Sequence, residues 1–268
     1  MTTTGLVLAG SCTAGSGCGF PAPGTASFDY QPVFTVLGFG VTKPALLLVS
    51  GTVLIAVAML AAFARPRLVP TGWQNVMERY YDFIRKDIAA DVIGREGIRY
   101  APYLATVFAF VFVMNFFEIV PGAQFPVTSR IAYPAMLAAL TWLIYNAIGV
   151  RRHGLLGYLR GIMFPPGLPW WIYIILAPIE LFSTIIVRPF TLAVRLFANM
   201  FAGHLLLLVF TLGTTYLLVP RIQALFAVVS FGMTFVLTAF ELLIQLLQAF
   251  IFTLLTASYI SGALAEEH

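Results

Sequence analysis

The chain is divided into apolar stretches of about twenty residues or more, and few folds can accept that pattern. In hydrocarbon every backbone N–H and C=O must be satisfied inside the protein, so a segment of this kind spans as a helix or as part of a closed barrel. Residues 44–64 contain no charged side chain. Wound as a helix they reach ~32 Å at 1.5 Å per residue, enough to cross about 30 Å of hydrocarbon. Arg65, Pro66 and Arg67 stop the stretch. A second runs over 100–120 and closes at Pro121-Gly122, and a third over 131–150 closes at Arg151-Arg152. Composition agrees: 60% of residues are apolar and 10% charged, against about 45–50% and 25% in a soluble domain. Too little charge remains to solvate a globule, which excludes a soluble enzyme, a disordered tail and a secreted disulfide scaffold. The net charge of +4 follows the apolar blocks and forms no continuous basic run, so no nucleic-acid partner is expected.

The last third departs from simple spans. After Pro165-Pro166-Gly167 a helix is expected from about Trp170 to Arg188. Residues 189–219 and 224–259 then run on, interrupted by no further proline. As straight helices these would be ~46 and ~54 Å long, longer than the hydrocarbon is thick, so they must tilt, kink or protrude. Pro220-Arg221 turns one into the other, giving a long antiparallel hairpin. The fold class expected is an all-α polytopic membrane protein of roughly five membrane helices. The domain plan is a tail over 1–43 and one membrane domain over 44–268, with spans at 44–64, 100–120, 131–150, 170–188 with 189–219, and 224–259.

Between the first two spans, residues 71–98 read as an interfacial amphipathic helix. Trp73, Met77, Tyr80, Tyr81, Ile84, Ile88 and Val92 recur every three or four residues, with Glu78, Asp82, Arg85, Lys86 and Asp91 on the other face. That apolar face could meet the membrane surface, or a partner or solvent. Basic residues set the topology. Seven lie from Arg65 to Arg99 and only Arg130 between the second and third spans, while Arg151, Arg152 and Arg160 follow the third. The positive-inside rule places the N-terminus outside and, after five crossings, the C-terminus in the cytoplasm. The tail has no Lys or Arg over 1–42, so a cleaved leader is not expected. Its Cys12 and Cys18 are either incidental or a disulfide formed outside the cytoplasm.

Ionisable groups within apolar segments are costly, about 2.5–3.5 kcal/mol each at the bilayer centre on insertion scales, and are functional candidates by default. Here they are Glu118, Glu180, Arg188, Arg195, His204 and Glu241. Arg195 has no acidic residue near it on its own helix, so it must face water, a carboxylate of another helix or an acid of a partner. Arg188, directly before Pro189, reads as structural. Asn199 shares the Arg195 face at i+4, whereas His204, nine residues on, points the opposite way. That direction suits the antiparallel helix carrying Glu241, and a carboxylate beside an imidazole can relay protons or simply hold helices together. Glu241, Gln245 and Gln248 form one stripe at i, i+4 and i+7. Asn115, Asn146 and Gln245 suit helix–helix hydrogen bonding, and Gln245 also lies on the candidate stripe. Glu180 could line a second water path or neutralise Arg188.

Four motifs carry a family resemblance. The run RPFTLAVRLFANMFAGH from Arg188 to His204 resembles the signature of subunit a of the F-type ATP synthases. The run ELLIQLLQAFIF from Glu241 to Phe252 is similar to that family's last helix, MNFFEIVP from Met114 to Pro121 to the end of an early span, and AEEH is a familiar ending. The resemblance implies a proton-translocating stator subunit in a bacterial inner membrane, with no active-site chemistry, cofactor or metal of its own. Its partners would be the c-subunit ring, a b-type peripheral-stalk subunit, other ATP synthase subunits and the bilayer. Arg195 would face the ring carboxylates, favour their ionised form and separate two half-channels. His204 and Glu241 would line the outer half-channel, Asn199 and Gln248 would lie near the arginine, and Glu180 would serve the cytoplasmic half-channel. From Glu180 to Arg188 the chain is one residue longer than the family pattern, which leaves the rotational phase of Glu180 against Arg195 open.

Other classes predict different features. A secondary transporter would show an internal repeat and paired broken helices, and neither is visible. An intramembrane hydrolase would need a motif such as H-E-x-x-H or G-x-S-x-G, both absent from a chain with three His. A scaffold with polar residues as helix glue is the remaining alternative.

Overall fold

The computed structural model describes residues 20, 22–24, 34–36, 39–64, 66–164, 172–218 and 223–265. Cys12, Cys18, the turns around Pro166 and Pro220, Trp170 and the final Glu266–His268 lie outside the described residues. Strands β1 (Phe34–Val36) and β2 (Phe39–Val41) pair antiparallel just before the first helix. They are the only strands among the described residues; everything after them is helix and connection. Five helical stretches are long and apolar enough to cross a membrane: Lys43–Phe63, Arg95–Phe116, Ala132–Met163, Tyr173–Leu217 and Gln223–Leu264.

Helix α1 (Lys43–Phe63) starts where an extended Thr42 precedes Pro44, a residue suited to the first turn because its missing N–H would be unpaired there anyway. It buries only Pro44, Gly51 and Ala62, leaving Val49, Val53, Val57 and Leu60 outward, where lipid is the solvent. Met114 and Phe117 close on Gly51.

Helix α2 (Trp73–Phe83) continues as a π-wound segment, Ile84–Ile93, to Gly94. A 3-10 turn, Arg95–Tyr100, then leads into α3 (Ala101–Phe116). The amphipathic face expected over 71–98 packs largely on the chain itself. Ile84 and Ile88 are fully buried in one cluster with Leu104, Phe108 and Phe252. The Tyr80 hydroxyl donates to the Ala105 carbonyl, and burial pushes its phenol well above the usual value, so it stays a donor at physiological pH. Trp73 and Val76 remain exposed, and the Trp73 indole N–H donates to the Ala58 carbonyl at 3.1 Å.

The connection after α3 folds inward: Phe125, Val127, Thr128 and Ser129 are all buried. Helix α4 (Ala132–Met163) runs past the arginines that close the predicted span and is broken at Gly154, whose φ of 72° and ψ of 163° are non-helical. Positive φ suits glycine, and the reversal returns the Tyr158 hydroxyl to Asn146 Oδ1 at 3.0 Å.

Helix α5 (Tyr173–Phe182) passes through a π-wound turn, Ser183–Val187, straight into α6 (Arg188–Leu217). Proline at position 189 therefore does not break the helix; it stands in the first turn of α6. Helix α7 (Gln223–Leu264) is 42 residues long, ~63 Å at the standard rise. It runs antiparallel to α6. Ser230 donates to the Phe210 carbonyl at 2.9 Å, the Glu241 carboxyl lies against Gly203, and Asn199 Nδ2 donates to Gln248 Oε1 at 2.8 Å. Only the second half of α7 joins the main hydrophobic cluster. Ala249, Phe252, Ala257 and Ile260 are fully buried, whereas Phe226, Val229, Phe235 and Val236 are exposed. In lipid the tails are as apolar as leucine, so close packing at small residues and interhelical hydrogen bonds, rather than escape from water, hold these helices together.

Candidate functional site

The stripe at Leu196, Met200 and His204 is the buried face of α6, while Arg195 and Asn199 point outward. That division follows from helical period alone, nine residues being two and a half turns. The imidazole, however, pairs with a different helix from the one the sequence favours. His204 Nδ1 lies 3.1 Å from Glu118 Oε1, just past the end of α3, and its ring stands edge-on to Phe125 at 5.9 Å. The second Glu118 oxygen accepts a hydrogen bond from Gln245 Nε2 at 3.0 Å. Glu241 comes to the same place from α7, its buried carboxyl set against Gly203 of α6 and near that of Glu118.

Glu118 is thus the centre of the cluster, joining α6 and α7 through the imidazole, an amide and a second carboxyl. Sequence reading marks it only as one of the costly acids within an apolar span; the signal was its place in MNFFEIVP, one turn after Asn115. Thr128 donates to the Asn115 side-chain carbonyl, so the inward loop supplies the cluster's third wall.

All members are deeply buried: His204 is 6% exposed, Glu118 5%, Glu241 3% and Gln245 0%. Among the described residues, Asn115 Nδ2, Glu241 Oε1 and Gln245 Oε1 are buried without a hydrogen-bond partner. Polar atoms in such positions call for water. The arrangement brings two carboxyls and an imidazole together in one buried site. Among the described residues no group of three or more His, Cys, Asp or Glu is placed to hold a metal ion.

Gly203 brings the cluster to the outer face of the hairpin. A Cβ at this position would occupy the space of the Glu241 carboxyl. Beside it a cleft of about 330 Å³ is lined by Asn199, Gly203, Leu206, Phe240, Glu241 and Gln248, among others. The predicted stripe of Glu241, Gln245 and Gln248 is fully buried as one face, and the Asn199–Gln248 bond links it to the helix face that carries Arg195.

Arg195 is exposed and, among the described residues, has neither a hydrogen-bond nor an ion-pair partner. Glu180 is half-exposed and does not ion-pair with Arg188. That guanidinium lies over the Tyr259 ring at 5.5 Å.

The chain is similar in sequence to known proteins over most of its length. The chain is 46% identical to ATP synthase subunit a of Streptomyces lividans, over 98% of this chain and 94% of that one. It is 48% identical to ATP synthase subunit a of Frankia alni, over 93% and 88%. Against ATP synthase subunit a of a Parafrankia species the identity is 53%, over 76% and 69%. Residues 45–261, which hold every group of the buried cluster and the outward arginine, match the family described as ATP synthase A chain, and to that family the chain belongs.

Proposed function

We propose that this chain is the proton-translocating stator subunit of a rotary ATP synthase, presenting two aqueous half-channels to a ring of c subunits. One observation carries the reading: Arg195 stands on an exposed face of α6 among apolar neighbours, with no partner among the described residues. A charge so placed in a membrane protein needs an external acid or water, and a ring of carboxylates supplies the first. Arg195 then favours the ionised carboxylate that passes it. The Glu118, His204, Glu241 and Gln245 cluster serves the outer half-channel, and the cleft past Asn199 and Gln248 delivers the proton to the ring. Glu180 serves the cytoplasmic half-channel. The N-terminus lies outside and the C-terminus in the cytoplasm of a bacterial inner membrane. A b-type stalk subunit and the other synthase subunits complete the assembly.

Cross-linking tests the ring contact. With Cys12 and Cys18 changed to serine, Ala202→Cys and Leu206→Cys, both on exposed positions, should form disulfides with cysteines on the outer helix of the c subunit. Met200→Cys, on the buried face, should not. Equal cross-linking from all three would reject the assignment of that face.

The close approach at Gly203 gives a second prediction. Gly203→Val must push the Glu241 carboxyl out of the cluster, and ATP-driven proton pumping should fall about tenfold, ~1.4 kcal/mol of barrier. Pumping at the unaltered rate, in a complex assembled to the normal level, would remove Glu241 from the path.

A further inference from the structure

The π-wound turn between α5 and α6 is held by a set of side chains that the reading above does not use. In this turn the Arg188 N–H bonds back to the Ser183 carbonyl, five residues earlier. The next donor in that register would be residue 189, which is proline and has no N–H. The Thr184 carbonyl is left without a helical donor, and a buried carbonyl in that state is costly. The Tyr145 hydroxyl, reaching across from α4, donates to it at 3.0 Å. Tyr145 is 2% exposed. Its ring packs on Tyr259 of α7 at 5.5 Å, and Tyr259 is in turn covered by the Arg188 guanidinium. The contacts close a loop that begins inside the π-turn, at Thr184, and ends directly after it, at Arg188.

A π-turn takes up one more residue than an α-turn. Adding or removing it rotates everything before it by ~100° relative to everything after it, the angle of one residue at 3.6 per turn. Glu180 lies before the turn and Arg195 after it. We propose that Tyr145, with Tyr259 and Arg188, is a positioning group that locks the π-turn and thereby sets the angle between Glu180 and Arg195. The proposal rests on the half-channel reading of Glu180 for its consequence, and on the turn geometry alone for its mechanism.

The test reads rotation directly. Single cysteines along 176–182, in a chain with Cys12 and Cys18 changed to serine, are labelled in assembled vesicles with a water-soluble maleimide. The labelling maximum marks the water-facing side of α5. Tyr145→Phe, which keeps the ring and removes the donor, should move that maximum by one position and lower pumping severalfold. Tyr259→Leu, which removes the ring beneath Arg188, should move it the same way. Deleting Ile185 takes out the extra residue, so an α-wound connection keeps the original phase; there the maximum should stay, and Tyr145→Phe should no longer shift it. An unchanged labelling pattern in both tyrosine variants, or an equal shift from Tyr145→Phe with Ile185 deleted, overturns the proposal. Because labelling reports rotation and not flux, it stands or falls separately from the reading of the chain as a proton channel.

Discussion

Arg195→Ala is expected to reduce ATP-driven acidification of inverted membrane vesicles to the level of vesicles without the complex, while the chain still copurifies with the c ring. The size of the effect follows from electrostatics. An uncompensated charge near the bilayer centre costs about 2.5–3.5 kcal/mol on insertion scales, and each ~1.4 kcal/mol is a factor of ten in rate. If Arg195 favours the ionised ring carboxylate as proposed, losing its guanidinium should therefore slow each step about 100-fold or more. Arg195→Lys should recover a small part, because an ammonium supplies the charge but not the planar, multidentate donor set. Full pumping by the alanine variant would end the assignment of this residue.

The second large effect concerns the buried cluster. Glu118→Gln keeps the size of the side chain but removes the carboxyl that pairs with His204 and accepts from Gln245. Proton flux through the complex should fall at least tenfold, about 1.4 kcal/mol or more. Glu241→Gln should give a loss of similar size. If the two carboxyls hold one proton on one path, the double variant should lose much less than the product of the single losses. Losses that multiply fully would place the two groups on separate paths. Passive flux in vesicles loaded with a pH dye measures all three.

Helical period made the opposite facing of Arg195 and His204 legible, and the i, i+4, i+7 spacing of Glu241, Gln245 and Gln248 made their burial on one stripe legible, because both are properties of a single helix. The His204–Glu118 pair was not. It joins residues 86 positions apart in the chain, and no local pattern says which of several apolar helices a polar face will meet. The π-turn was hidden for a different reason: sequence shows a proline at 189, whose usual effect is a break, whereas the structure shows a change of hydrogen-bond register that carries the helix through. The amphipathic pattern over 71–98 identified an apolar face correctly but not its neighbour, since burial against Leu104 and Phe252 and contact with a membrane surface leave the same periodic mark.

The partial burial of α7 has a mechanical consequence. Its root, from Ala249 to Ile260, is clamped in the bundle, and its other end extends with α6 as a hairpin whose sides face outward, so the pair is a cantilever. A cantilever pushed at its root bends least. The Asn199–Gln248 bond, one turn from Arg195, lies where the clamped part begins. A sideways load on the exposed face would thus meet the arginine at the stiff end of the beam, and the compliance would rise toward the far end of the hairpin.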